Sequence, residues 1–259
     1  LADPDARSEA LPSELQSRWI DAADLPSRPH ARADIEAAVA EEASLLREVF
    51  GSVPGVAVPN TFVWNDAVER AWTAAGVSCI VTPGRRFEGR DAKGGLQAPT
   101  RILRNGDRSS VGVAIYVVRD DYFEPIRGHR AEQVWDAVDR KSALGRPTLL
   151  ETHRESFVAS PETRRGALQE IERALRGVLE RHPNARFLST ARLAALFGEP
   201  DAELCEHRFW NRLCVFVLRL QNDAEFAPFL KFSGLKLPLW GLARLAQGVT
   251  HGRFLAASQ

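Results

Sequence analysis

Residues 147–157, Pro-Thr-Leu-Leu-Glu-Thr-His-Arg-Glu-Ser-Phe, contain the features that decide the predicted fold. A short apolar run ends abruptly at a polar group that includes His153 and Arg154, and Ser160-Pro161 then opens a long amphipathic segment. This order of strand, polar tip, loop and helix is typical of a parallel α/β protein, in which chemistry lies at the carboxyl ends of strands. His153 is therefore a candidate acid–base residue, with a capping or ion-paired histidine as the alternative.

The same alternation of strand and helix extends through residues 33–198 and predicts a parallel sheet or barrel with helices outside it. Five or six strands are predicted, fewer than a closed barrel needs. Asn105-Gly106-Asp107 is a turn signal between two of them. Besides the strand within 147–157, strands are predicted at 56–59, 77–81, 101–104, 111–118 and 185–188, and helices at 33–50, 65–75, 130–144, 161–181 and 190–197.

Two segments flank this predicted α/β region. Residues 1–32 are rich in polar residues and proline and predict an irregular lead-in, while residues 199–259 predict a helical extension. The extension contains an apolar helix at 209–220 and short amphipathic pieces around Trp240 and Leu242. These helices either pack on the barrel, or lie on a membrane surface or a partner through aromatic and arginine side chains.

Composition narrows the class of protein. The 259 residues are 44% hydrophobic and 26% charged, which is typical of a soluble globular protein. The chain has 34 basic and 34 acidic residues, so its charge gives no reason to expect nucleic-acid binding. The three cysteines are widely spaced and no signal peptide is evident. These features predict a cytoplasmic location, with a membrane-peripheral location as the alternative. Methionine is absent, and we expect the missing strands upstream of residue 1.

Polar clusters follow four of the predicted strands, and parallel strands would bring them to one face. An aromatic ring together with amides, carboxylates and arginines on that face is suited to binding a sugar. The alternatives are helix capping by Ser189 and Thr190, packing of Trp64 over the barrel end, and a network of carboxylates with Arg119. The clusters are Asn60 with Trp64 and Asn65; Arg119, Asp120 and Asp121 with Glu124; Glu151 with His153 and Arg154; and Ser189 with Thr190.

Several of these stretches resemble one family. Val58-Pro59-Asn60-Thr61-Phe62-Val63-Trp64-Asn65, Val118-Arg119-Asp120-Asp121-Tyr122-Phe123-Glu124-Pro125 and Glu151-Thr152-His153-Arg154 look like parts of a polysaccharide deacetylase-like protein, most similar to a bacterial branch. The resemblance covers about residues 42–197. It implies a distorted (β/α)7 barrel, here incomplete, in which a zinc-like divalent metal activates water and a histidine from a late strand acts as the acid.

The resemblance assigns roles to individual residues. By strand position His153 matches the late histidine, and Asp121 and Glu124 are the other catalytic candidates. The substrate-binding candidates are Asn60, Trp64, Asn65, Arg119 and Arg154, with Trp64 stacking on a sugar. The chain departs from the family pattern in three places: no arginine precedes Pro59, arginine follows His153, and no Asp-then-HxxxH motif occurs in residues 1–50. We therefore expect this chain to hold no metal itself, with a divalent metal in the full-length parent, and to be inactive alone.

These observations predict a carbohydrate-active hydrolase of amide bonds, with an oligosaccharide or polysaccharide as its partner. A glycoside hydrolase that uses carboxylates such as Asp121 and Glu124 is the second enzyme hypothesis. A non-catalytic glycan-binding or scaffold protein of envelope polysaccharide assembly is the third. Residues 208–248 are the candidate contact with a membrane or a protein partner.

Overall fold

A computed structural model of the chain describes residues 18–23, 25–199, 205–223 and 226–234, together with Pro238 and Gly241. The predicted pieces around Trp240 and Leu242 lie outside these residues. The described helices are α1 (Arg32–Phe50), α2 (Asp66–Ala74), α3 (Ala131–Ala143), α4 (Glu155–Val158), α5 (Pro161–Arg181), α6 (Thr190–Gly198), α7 (Phe209–Asn222) and α8 (Phe226–Phe232). The described strands are β1 (Ile20–Asp21), β2 (Arg28–Pro29), β3 (Val56–Ala57), β4 (Cys79–Thr82), β5 (Arg85–Arg86), β6 (Arg101–Ile102), β7 (Ile115–Val118), β8 (Asp121–Tyr122) and β9 (Leu150–Glu151).

The chain divides into two compact units. The first runs to Asp120 and also contains Phe187–Glu199, and the second contains Asp121–Arg186 and the chain from Pro200 onward. Each unit combines a small parallel sheet with helices, which confirms the predicted α/β class. The strands within the described ranges do not form a closed barrel.

Three parallel strands form the centre of the first unit, in the order β3–β4–β7. All four residues of β4 are buried, as expected for a strand covered on both faces. The core around this sheet includes Trp72 and Trp19, whose rings meet edge to face with centroids 5.4 Å apart. The lead-in is therefore not entirely irregular, because Trp19 is buried and β1 pairs with β2.

The helix boundaries of this unit follow from local sequence signals. Gly51 ends α1 in the left-handed conformation at φ 74°, which glycine adopts without a steric cost. Asn65 begins α2, and its side chain accepts a hydrogen bond from the Val68 N–H. Ser189 caps α6 in the same way through the Arg192 N–H. The sequence predicted the end of α1 at Gly51, the start of α2 at Asn65 or Asp66, and the start of α6 at Ser189 or Thr190.

Two strand predictions need correction. The turn at Gly106 is present, with φ at 87°, but the strands that flank it do not form a simple hairpin. β6 pairs with β5, inside the predicted long loop, while β7 pairs with β4. The predicted strand at 185–188 is irregular, and its Phe187 and Leu188 side chains are exposed. An apolar run becomes a strand only where a neighbouring strand completes its backbone hydrogen bonds.

The second unit is built around β8 and β9, which lie parallel with Asp121 opposite Leu150 and Tyr122 opposite Glu151. Helices α3 and α5 pack together through an apolar cluster that includes Val134 and Val178. Gly177 permits their close approach, because a Cβ atom at this position would lie 2.4 Å from the Trp135 ring. Ser160 begins α5 by accepting a hydrogen bond from the Thr163 N–H, as predicted.

Helices α7 and α8 also belong to the second unit. Cys214 and Val217 are buried on one face of α7, and Leu230 is buried in α8. The Arg219 guanidinium donates hydrogen bonds to the carbonyl oxygens of Leu144 and Gly145, at 2.7 and 2.6 Å. This contact connects α7 to the end of α3, where the helix dipole favours a cation.

Candidate active site

The candidate site lies at the carboxyl ends of β8 and β9. The Phe123 N–H donates to the Glu151 carbonyl oxygen at 2.8 Å, so the segments that contain β8 and β9 remain side by side for one residue beyond β8. Glu124 follows β8, and His153 follows β9. These two predicted catalytic residues are thereby brought together, as the argument from parallel strand ends predicted.

A turn formed by residues 153–156 surrounds the Glu124 carboxylate. The His153 backbone N–H donates to Glu124 Oε1, and His153 Nδ1 lies 2.7 Å from the same oxygen. The Ser156 hydroxyl donates to Glu124 Oε2 at 2.6 Å. Glu124 is only 1% exposed, and these contacts occupy both of its oxygens within a single short turn.

Hydrogen bonding keeps the Glu124 carboxylate ionised. Burial alone raises the pKa of a carboxyl group, but the hydrogen bonds from Ser156 and His153 outweigh it and lower the pKa of Glu124 below its ordinary value. An ionised carboxylate can only accept hydrogen bonds. His153 Nδ1 must therefore be the donor in this pair, and Nε2 is the ring nitrogen that is not bonded to Glu124.

The opposite side of the His153 ring is accessible. The side chain is 54% exposed, and Nε2 lies 3.5 Å from Glu151 Oε1. Carboxylate oxygens therefore lie near both ring nitrogens, Glu124 at Nδ1 and Glu151 at Nε2. A ring fixed at one nitrogen and accessible at the other can transfer protons to and from a bound molecule.

Tyr122 places an aromatic ring beside the histidine. Tyr122 and Glu124 are two residues apart along an extended chain, so their side chains point to the same face. The Tyr122 ring centroid lies 5.8 Å from that of His153 and 5.3 Å from that of His129. His129 Nδ1 accepts the Glu124 backbone N–H at 3.0 Å, so its Nε2 carries the proton and is a donor. Arg127 lies 6.0 Å from the Tyr122 centroid.

Asp121, also predicted to be catalytic, does not join this group. Its buried side chain contacts Lys141 Nζ, and its Oδ1 lies 3.4 Å from Arg140. The alternation of side chains along a strand explains this, because residues 121 and 124 are three apart and point to opposite faces. Asp121 thus serves as the anion of an ion pair with α3. Arg154 is exposed and precedes α4, where its carbonyl oxygen accepts the Phe157 N–H.

The other predicted binding residues belong to the first unit. Trp64 is fully buried and its indole Nε1 donates to Glu69 Oε1 at 2.7 Å, which contradicts the prediction that it stacks on a sugar. The Asn65 oxygen is occupied by its helix cap. Asn60 is exposed, and the Arg119 backbone N–H donates to the Thr82 carbonyl oxygen. The role of Asn60 and Arg119 in substrate binding stays a prediction.

The Trp64 indole belongs to a buried network around Glu69. Tyr116 donates its hydroxyl to Glu69 Oε1 at 2.7 Å and Ser109 donates to Oε2 at 2.5 Å, while Arg86 lies 3.4 Å from Oε1. Burial, together with the bond to Glu69, raises the pKa of Tyr116. Every donor in this network comes from a buried residue, so it fixes the first unit internally rather than binding a ligand.

Sequence reasoning missed Ser156, Tyr122, His129 and Glu69. The signal for Tyr122 was its two-residue spacing from Glu124 in the polar stretch after the predicted strand 111–118, and that for Ser156 was its position three residues after His153. His129 lies in the polar stretch Arg127-Gly128-His129-Arg130, which gives no signal of a role in a site. Glu69 gave no signal, because a glutamate on an amphipathic helix usually faces solvent.

The described residues do not fit a metal centre. Across the described part of the chain, no group of three or more His, Cys, Asp or Glu side chains could hold a metal ion. His153 Nδ1 is bonded to Glu124, and Asp121 is paired with Lys141. A metal in the full-length parent stays a prediction.

Comparison with known proteins finds no family model, no curated protein and no solved structure that matches this chain. The resemblance to polysaccharide deacetylases therefore stays a prediction.

Proposed function

We propose that the chain is part of a carbohydrate-active hydrolase that cleaves an N-acyl bond of an amino sugar, with His153 as its proton-transfer residue. The supporting observation is the buried Glu124 carboxylate, which bonds His153 Nδ1 at 2.7 Å and leaves Nε2 on an accessible side of the ring. The second support is position, because both residues follow adjacent parallel strands. The (β/α)7 barrel type and the carbohydrate substrate are part of this proposal.

In the proposed reaction water adds to the carbonyl carbon of the acyl group and releases one proton to solvent, and the carbon–nitrogen bond of the tetrahedral adduct then breaks. The protonated Nε2 of His153 gives its proton to the departing amine nitrogen, so that a neutral amine leaves. Glu124 fixes the ring and stabilises its protonated form, while Glu151 stabilises the same charge from the Nε2 side. Nε2 is then reprotonated from solvent, which can reach the half-exposed ring.

Tyr122 is the proposed aromatic platform, in the role that the sequence assigned to Trp64. Its ring is 40% exposed and lies beside both histidines. A sugar ring stacked there would lie next to His153 Nε2 and within reach of the His129 Nε2–H donor. The Arg127 guanidinium at the same tyrosine supplies further donors for hydroxyl groups.

The test measures acetate released from N-acetylated chito-oligosaccharides by the natural full-length protein that contains this chain, with divalent zinc, cobalt or manganese supplied. We expect His153→Asn to lower kcat by about 100-fold or more, because positioned acid–base groups contribute factors of this size. The circular dichroism spectrum of the variant should match that of the parent protein, since the His153 side chain is half exposed.

His182→Asn is the matched control. His182 Nε2 bonds Asp139 Oδ1 at 2.6 Å, so this residue also forms a histidine–carboxylate pair in the second unit, but its carboxylate is exposed and lies on α3. We expect His182→Asn to retain the parent rate. Unchanged acetate release in His153→Asn would overturn the proposed role. Release of new reducing ends without acetate would favour the glycoside hydrolase hypothesis instead.

A further inference from the structure

Helix α7 presents a stripe of aromatic and basic side chains to solvent. Phe209, Arg212 and Phe216 are spaced by three and four residues, so they lie on one side of the helix, and all three are exposed. Phe209 is 68% exposed and Phe216 is 56% exposed. Trp210, which meets Phe209 edge to face at 5.3 Å, extends this surface at the start of the helix.

Helix α8 continues the same pattern. Phe226, Phe229 and Phe232 recur at three-residue intervals, and each is exposed, Phe232 at 97%. Lys231 lies between the last two rings and is also exposed. Helices α7 and α8 pack against each other, so the two stripes belong to one helical pair.

The buried face of this pair is already in use. Cys214, Val217 and Leu230 have buried side chains on these helices, and Arg219 connects α7 to the end of α3. The exposed phenylalanines are therefore additional to the packing that holds the pair in the second unit. Monomeric proteins rarely expose clusters of large apolar side chains of this kind unless they contact another surface.

The charge of this segment indicates what kind of surface the exposed side chains contact. The 53 residues after Glu206 contain seven Lys or Arg residues and two Asp or Glu residues, in a chain whose formal net charge is zero. Positive charge is thus concentrated in the segment that also exposes the aromatic rings. Basic side chains interleaved with Trp and Phe on an amphipathic helix are typical of binding to anionic lipid headgroups.

We propose that the α7–α8 pair lies on an anionic membrane surface. The exposed phenylalanines and Trp210 enter the boundary between headgroups and acyl chains, and Arg208, Arg212 and Lys231 contact lipid phosphates. The attachment is peripheral, because none of the described helices is long and apolar enough to cross a membrane. Binding in this way would hold the second unit, and any substrate it acts on, at the membrane interface.

The test is co-sedimentation of the full chain with vesicles. We expect binding to vesicles of phosphatidylglycerol and phosphatidylcholine, weak binding to pure phosphatidylcholine, and loss of binding as salt is raised. The double variant Phe209→Ser, Phe216→Ser should lower the affinity by about tenfold or more, through lost apolar burial. Arg212→Gln should lower it by about fivefold, the value expected for one basic residue near an anionic surface.

Leu168→Ser is the matched control, because Leu168 is an exposed apolar residue of the same unit, on α5, at 53% exposure. It should bind vesicles like the parent chain. Equal binding of the double phenylalanine variant and the parent would overturn the proposal. So would a stable dimer that the double variant converts to a monomer, because the exposed rings would then be an interface between two copies of the chain.

Discussion

Glu69 and Glu124 are both buried glutamates that accept a hydrogen bond from a serine, yet their surroundings differ in one respect. Around Glu69 the donors Trp64, Tyr116 and Ser109 are all buried. Around Glu124 one donor is a half-exposed histidine. The Glu69 carboxylate lies in a closed network, whereas the Glu124 carboxylate bonds a ring that solvent and ligands can reach.

This difference shows how burial of a carboxylate can serve either stability or chemistry. Burial of a charge costs free energy in both networks, and hydrogen bonds offset that cost in both. Only at Glu124 does one of those bonds fix the orientation and tautomer of an accessible proton carrier. Loss of Glu69 should therefore affect folding alone, and loss of Glu124 should affect folding and catalysis together.

The largest expected effect on stability comes from Glu69→Leu. This change removes the carboxylate that accepts hydrogen bonds from three buried donors and that lies next to the Arg86 cation. We therefore expect a loss of about 4 kcal/mol in the free energy of unfolding. Urea denaturation followed by tryptophan fluorescence measures it. Glu88→Gln is the control, because Glu88 is a partly exposed partner of the same arginine, and should cost roughly 0.5 kcal/mol. Equal losses in the two variants would show that the Glu69 network does not stabilise the first unit.

Glu124→Gln should have a smaller effect on stability and a large one on rate. The amide keeps the shape of the carboxyl group but weakens its bonds to His153 and Ser156, at a cost of about 2 kcal/mol in the free energy of unfolding. Acetate release should fall by about 100-fold, because the neutral amide no longer stabilises the protonated ring. Glu69→Leu, measured where it is still folded, should retain the parent rate per folded molecule. A Glu124→Gln variant with the parent rate would contradict the proposed pairing.

The pH dependence of stability distinguishes Glu124 from an exposed carboxylate. Because folding lowers the pKa of Glu124, the unfolded chain binds more protons between the folded value and the ordinary value of about 4.3. Its contribution is complete above that value and is lost as pH falls through the folded pKa. Glu124→Gln should therefore flatten the decline of stability in acid, measured by urea denaturation from neutral pH downward.

Asp139→Asn provides the comparison for this measurement. The hydrogen bond from His182, with the charge of Arg181, also lowers the pKa of Asp139, so its contribution has the same sign. Asp139 is exposed, however, and water screens exposed pairs. We expect a smaller flattening in Asp139→Asn than in Glu124→Gln. The reverse order would show that the Glu124 network adds little to the stability of the folded chain.

The sequence predicted the parts of this comparison that local signals control. Periodicity and caps placed α1, α2 and α5 within one or two residues, and the argument from strand ends brought His153 and Glu124 together. The sequence did not identify the residues that Trp64 and Asp121 contact. Both have polar atoms next to a strand end, and only the three-dimensional partners, Glu69 for Trp64 and Lys141 for Asp121, show that these atoms are already bonded.

The smallest predicted effects come from the two serines, which give the most closely matched test. Ser109→Ala and Ser156→Ala each remove one hydroxyl from the Oε2 atom of a buried glutamate, so each should cost about 1 kcal/mol in the free energy of unfolding. Ser156→Ala should also raise the pKa of Glu124, because that hydroxyl is the leading hydrogen bond that lowers it. The acid limb of stability should then move to higher pH, and acetate release should fall, though less than in Glu124→Gln. Ser109→Ala should leave the rate unchanged, since no accessible group depends on Glu69. If both serine variants changed the rate equally, the distinction between a closed and an open carboxylate network would be wrong.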